Sequence, residues 1–317
     1  MLLEILLILG IIMICVILWE TNVLRMVLWL GLYSLVAALT FFVMGAPDVA
    51  MAEGAISGFS TIFFIVCFEK YFILRDKNIA KEEENIIKRS NKFISFGLPL
   101  LLAVALAGLF IYFLPESYHN PYVKDQYIRY AGQHVGGENV VGAIILGYRV
   151  YDTLFEALML VVAVVAVIHM SEFNDSSLKE GKKSGIEKDG VALFLMRIVA
   201  PVSIVFGVYL IANGFLTAGG GFQGGLAVAA FFICRYMVYD IYDISMKKVN
   251  KMEEIVFAAI ALIAILIVFQ DTQSLVPYQW QPAFQSAYLI LMNSLVGLKV
   301  ACGFLILFYR YIAIERN

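Results

Sequence analysis

The stretch GAPDVAMAEGAISGFSTIFFIVC, residues 45–67, decides the fold. It opens on the turn residues Gly45-Ala46-Pro47-Asp48 and then runs apolar for about the 20 residues a bilayer-crossing helix needs. Glu53 sits just inside that run, and Ser57, Ser60 and Thr61 follow at helical spacing, so a carboxylate and hydroxyls share one face. At 1.5 Å per residue the stripe covers roughly 12 Å of depth. A charge at the centre of a bilayer costs roughly 2.5–3.5 kcal/mol on insertion scales, so such residues face protein or water and often mark an ion path. Oxygen ligands in this order suit a sodium ion or a proton-carrying water chain. A structural alternative exists, in which the hydroxyls bond back to their own helix and pack against a neighbour. Glu53 needs a partner or water under either reading.

The pattern recurs. Asp152 and Glu156 open a second apolar span just after Arg149. They share a face at i, i+4, where like charges repel unless one is protonated or a cation intervenes. Arg149, three residues before Asp152, can supply that cation. Helix capping by Asp152 or Thr153 would explain Asp152 but not Glu156, a full turn deeper. In the last span Asn293, Gly297 and Lys299 interrupt an apolar run. Lys299 lies too far from either boundary to snorkel, so an internal carboxylate or water cavity is its expected neighbour. Asp48, Glu53, Ser57, Thr61, Arg149, Asp152, Glu156 and Lys299 are therefore the candidate ion-pathway residues.

Composition sets the class. Of 317 residues, 62% are hydrophobic and 15% charged, far from the balance of a soluble domain. A net charge of −2 suggests no nucleic-acid or acidic partner. Cys15, Cys67, Cys234 and Cys302 are isolated within apolar spans, and His119, His134 and His169 are scattered. No metal or iron–sulfur spacing follows from them, so no cofactor, resident metal or catalytic residue is expected, and any electron chemistry belongs to another chain. A transient sodium ion near Glu53 or Glu156 is compatible with the oxygen-rich stripes.

The reading is an all-α polytopic membrane protein of about nine transmembrane helices in three small bundles. Spans are expected near 2–19, 24–44, 49–70, 95–114, 150–170, 192–212, 221–240, 254–270 and 285–311. The first lacks a basic leader and a small-residue cleavage site, so it reads as a retained span rather than a signal. Residues 140–147 are too brief to cross and suggest a half-helix or re-entrant piece. Charged stretches at 75–94 and 171–190 read as solvated linkers and divide the chain into blocks 1–74, 95–170 and 191–317. Lysine and arginine concentrate in 75–92, 179–188 and 247–251, which places those loops in the cytoplasm, the N-terminus outside and the C-terminus inside a cell membrane.

The run Gly219-Gly220-Gly221-Phe222-Gln223-Gly224-Gly225 has no preceding strand and no following Lys-Ser/Thr, which argues against phosphate binding. Its glycines suit a tight external turn, at Gly219, Gly220 and Gly221, and close helix approach.

With these motifs in view, Gly45 to Cys67 resembles the D-type piece of membrane-bound hydrogenases. Asn139 to Val167, with its Asn-Val-Val and Arg-x-x-Asp-Thr-x-x-Glu pattern, resembles the E-type piece. Both are similar to the C-terminal part of the large A-type component of multisubunit Mrp sodium/proton antiporters. Arg197 to Gly225, with Arg-x-x-x-Pro and the glycine run, resembles the B-type family of the same Mrp antiporters, as does Val296-Gly297-Leu298. Phe215 and Ala218 stand where that family usually has histidine and proline, so any role of that histidine is absent. The large proton-channel-like portion of a whole A-type component is not expected here. The resemblance implies a sodium/proton antiporter module, working with other membrane subunits and lipids and moving Na⁺ and H⁺. Its setting would be a respiratory complex such as a membrane-bound hydrogenase, sulfur reductase or related ferredoxin-dependent oxidoreductase. A stand-alone antiporter subunit, or a structural subunit that does not conduct, are the alternatives.

Overall fold

The computed structural model describes residues 2–74, 98–112, 121–170, 190–239, 245–270 and 282–313, and among these every element is helical. In chain order they are α1 (Leu2–Trp19), α2 (Val23–Val43), α3 (Pro47–Leu74), α4 (Leu98–Tyr112), α5 (Pro121–His134) and α6 (Val140–Ala143). A π-helical turn, Ile144–Tyr148, leads into α7 (Val150–Met170), followed by α8 (Gly190–Asn213), α9 (Gly221–Tyr239), α10 (Met246–Gln270) and α11 (Pro282–Ala313).

The punctuation is local chemistry. Asn22 caps α2 by accepting from the Leu24 and Arg25 N–H groups. At the other end Gly45 has φ +79°, and the Gly45 and Ala46 amides reach back to the Phe42 and Phe41 carbonyls at 3.1 and 3.0 Å. That is a Schellman stop, and Pro47 then starts α3 at the one position where its missing N–H costs nothing.

A helix stands at each of the nine expected places. Among the described residues, five stretches are long and apolar enough to cross a membrane by length and composition: Leu2–Trp19, Val23–Val43, Pro47–Ile65, Val150–Met170 and Phe284–Arg310. Arg197–Asn213 and Gly221–Arg235 are apolar but shorter. The brief run at 140–147 forms α6 and most of the π-helical turn, broken from α7 at Arg149, where φ is −125° and ψ 39°. The expected linkers at 75–94 and 171–190 lie, except for Gly190, outside the described residues.

By contacts the chain divides into two compact units, residues 1–67 with 126–317, and residues 68–125. The smaller holds α4, which is exposed along 101–109. In the larger, α11 is the hub, packing on α7, α8, α9 and α10 and burying Leu289, Met292, Ile306 and Phe308 completely. Lipid tails are as apolar as leucine, so close backbone approach rather than expulsion from water holds such helices. A Cβ added at Gly225 of α9 would stand 2.5 Å from the Gly297 carbonyl of α11, a distance only glycine permits.

Candidate ion site

Three sequence motifs that lie far apart in the chain meet at one point. Asp48, at the head of α3, accepts through Oδ1 from the Asn139 side chain at 3.0 Å and from the Gly219 N–H at 3.1 Å. Asn139 is buried and caps α6, its Oδ1 accepting from the Val141 and Gly142 amides at 3.0 and 3.3 Å. Its Nδ2 also faces the Gly214 and Thr217 carbonyls at 3.0 and 2.9 Å, so two protons are shared among three acceptors. The Asn139 N–H donates to the Phe215 carbonyl at 3.0 Å. One asparagine thus ties the start of α3 and the start of α6 to the loop before α9.

Beside this knot lies a cavity of about 540 Å³. Asp48 and Ala52 of α3, Thr153 and Glu156 of α7, and Gly219, Gly220, Gly221 and Gln223 at the start of α9 line it, with Asn293 of α11. The turn itself falls at residues 214–216, Gly219 and Gly220 lead into α9 at φ +147° and +156°, and Gly221 is the first residue of α9. The Gly221 N–H donates to Asn293 Oδ1 at 3.0 Å, while Asn293 Nδ2 is buried without a hydrogen-bond partner. Thr153 donates to the Ile145 carbonyl at 2.9 Å and so steadies the π-helical turn. Asp152 is ion-paired with Arg149 at 2.5 Å, both side chains about half exposed or more, at 49% and 62%. Glu156, one turn deeper, is exposed and forms no hydrogen bond or ion pair among the described residues.

Glu53 faces a second, smaller pocket of about 220 Å³ between α2 and α3. Ser57, Ser60 and Thr61 line it as one stripe, joined by Ser34 of α2. Ser57 donates back to the Gly54 carbonyl at 3.2 Å, which occupies its proton and leaves oxygen lone pairs for a ligand. Glu53 forms no hydrogen bond or ion pair among the described residues.

Lys299 stands apart from both pockets. It is completely buried, hydrogen-bonded and ion-paired to Glu253 of α10, with its ammonium 5.6 Å from the centre of the Phe257 ring. Sequence reasoning did not single out Glu253, because it follows the basic loop and reads as a solvated helix start. The signal was its register. Met246, Val249, Glu253, Val256, Ile260 and Ala264 are all buried and fall on one helical stripe, so the carboxylate occupies a core position. Ser34 was also missed, since a lone serine in an apolar helix carries no pattern.

Residues 8–71 match the family of the MBH D subunit, MbhD, and residues 191–306 match the domain related to the MnhB subunit of Na⁺/H⁺ antiporter. The antiporter subunit mnhA2 of Staphylococcus aureus strain JH9 is 29% identical over 152 residues, 48% of this chain but 18% of that protein. The same holds for its counterpart in strain USA300. The chain therefore spans about a fifth of the curated relatives it matches. Among solved structures, a chain of the Mrp complex from Dietzia sp. DQ12-45-1b superposes with a TM-score of 0.72 at 19% identity, over 99% of this chain and 35% of that one. A chain of the membrane-bound sulfane sulfur reductase, an archaeal respiratory membrane complex, gives 0.56 at 21% identity, over 70% and 98%. These two likenesses establish a shared fold. The chain thus carries, in one polypeptide, a segment similar to MbhD and a domain similar to that of MnhB.

Proposed function

We propose that this fused, Mrp-related subunit carries the sodium/proton-handling part of a multisubunit respiratory membrane complex, such as a membrane-bound hydrogenase or a related ferredoxin-dependent oxidoreductase. Nine spans, with the N-terminus outside and the C-terminus inside, complete the proposal. The observation that carries it is convergence: Asp48, Glu156 and the Gly219–Gly221 run, drawn from three separate motifs, line one cavity. A carboxylate without an ion-pair partner inside an apolar span is costly unless a cation, a proton or water attends it. Glu53 and Glu156 meet that condition. Sodium and protons then compete for the same carboxylates, and that competition couples their movement. Asp48 holds the cavity wall together through Oδ1, which is engaged twice, and leaves only Oδ2 to a ligand.

Redox chemistry is assigned to partner chains. The fold is equally compatible with a stand-alone Mrp-type antiporter, and co-purification of a redox subunit separates the two settings. The test of the ion role uses the assembled complex in liposomes. Glu53→Gln and Glu156→Gln keep size and hydrogen bonding while removing the exchangeable charge. Both variants assemble and lose sodium-dependent ion movement, with Glu156→Gln the more severe because Arg149 and Asp152 are arranged beside it. Wild-type transport in a fully assembled Glu156→Gln complex would leave only the structural reading.

A further inference from the structure

The two carboxylate pockets lie on neighbouring faces of α3 and share one wall residue among those described, Ile56. Helix geometry explains why. Asp48, Ala52 and Ile56 form an i, i+4, i+8 row toward the larger cavity, whereas Glu53, Ile56, Ser57 and Ser60 form the row toward the smaller one. On either side of Ile56 the lining offers oxygen: Glu53, Ser57 and Thr61 in one pocket, Asp48, Thr153 and Glu156 in the other. At position 56 the oxygen line breaks. A branched aliphatic side chain there cannot ligate a cation or hold a water file, and a short apolar constriction between wet compartments empties by dewetting. Its β-branch also leaves little rotamer freedom to swing aside.

We infer that Ile56 is the barrier that keeps the Glu53 and Glu156 pockets from joining into a continuous ion path, and that transfer between them is confined to moments when α3 shifts. Ions on the two carboxylates then cannot exchange by passive leak. This rests on the ion-handling reading above and adds to it the residue that separates the two sites.

Ile56 is 41% exposed in this chain, so the barrier it forms is completed by a partner subunit in the assembled complex, and its replacement leaves the buried core intact. Valine and threonine at this position have the same shape and the same β-branch and differ by one hydroxyl. In the assembled complex reconstituted in liposomes, Ile56→Val retains tight, wild-type coupling. Ile56→Thr restores the oxygen line and raises passive sodium or proton leak roughly tenfold over Ile56→Val. Ile56→Phe widens the barrier and lowers coupled transport roughly tenfold while leaving leak at background. Equal leak in the Val and Thr variants overturns the proposal, as does wild-type transport through Ile56→Phe. Should the Phe variant fail to co-purify with its partner subunits, the isosteric pair alone decides. Glu53→Gln and Glu156→Gln measured in parallel separate the two ideas. If both transport normally, the ion-handling reading fails. If both lose transport while Val and Thr leak equally, only the barrier fails.

Discussion

Charge enters the apolar interior of this chain in two ways. On α11, Lys299 is completely buried, neutralised by Glu253, and set in a region where α8, α9 and α11 approach at glycine distance. On α3 and α7, Glu53 and Glu156 have no ion-pair partner among the described residues and border pockets of about 220 and 540 Å³. A third pocket of about 390 Å³, lined by Gly54 and Gly58, lies on yet another side of α3. A charge neutralised inside the chain, in a tight region, fastens helices. A charge left open, beside a loosely surrounded helix, is free to meet an ion, water or another subunit. Lys299 is therefore proposed as a fastening charge rather than one of the pathway residues that the sequence suggests, an assignment that variants test.

The largest expected effect follows from cutting the paired charge. Lys299→Ala leaves Glu253 buried and uncompensated, which costs about 3–5 kcal/mol. The thermal midpoint of the detergent-solubilised protein should collapse, or the chain should fail to accumulate. Replacing both partners, Lys299→Met with Glu253→Leu, should recover most of that loss, because two well-packed apolar side chains avoid the desolvation penalty of the pair. A double variant that is stable and transports normally fits the fastening role. A stable double variant that has lost ion movement would return the pair to the pathway and dissolve the contrast.

Much of this was legible in the sequence, for stated physical reasons. Long apolar runs broken by Gly45-Ala46-Pro47 and by the 219–221 glycines determine where helices begin and end, since hydropathy and turn chemistry act locally. The serine–threonine stripe beside Glu53 follows from helical period alone. What stayed hidden required the third dimension. Nothing local tells that Asp48, Asn139 and Gly219 will share hydrogen bonds across 91 and 171 residues. Register places Glu253 rather than Glu254 on the core stripe of α10, but nothing local names Lys299 as its partner.

A second effect tests the knot that joins the two regions. Asn139→Ala removes the donor shared by Asp48 and two backbone carbonyls and also uncaps α6. Each buried group left unpaired costs about 1–3 kcal/mol. The expected readout is a lower thermal midpoint and faster hydrogen exchange in the Gly214–Gly219 loop, with the Lys299–Glu253 region unaffected. Exchange spreading evenly over α10 and α11 would mean that the two regions unfold as one.

The smallest effect compares two glycines, one from each region. At Gly225 an added methyl group meets the Gly297 carbonyl of the facing helix at 2.5 Å, and backbone cannot step aside as a side chain can. Gly225→Ala should therefore destabilise by about 1–3 kcal/mol, the usual cost of forcing a methylene into a packed interior. At Gly54 the same methyl group meets nothing within 4 Å. Alanine is better than glycine inside a helix by roughly 0.5–1 kcal/mol, so Gly54→Ala should raise the thermal midpoint slightly or leave it unchanged. Transport measured on that stabilised variant is the sharper observation. Gly54 lines the pocket toward α8 and α9, and the methyl group would begin to fill it. If α3 must move into that space for ions to pass between Glu53 and Glu156, transport falls while stability rises, a combination that simple packing damage cannot give. If stability and transport are both retained, the open space beside α3 is not used, and the barrier at Ile56 must be crossed without movement of the helix toward that wall.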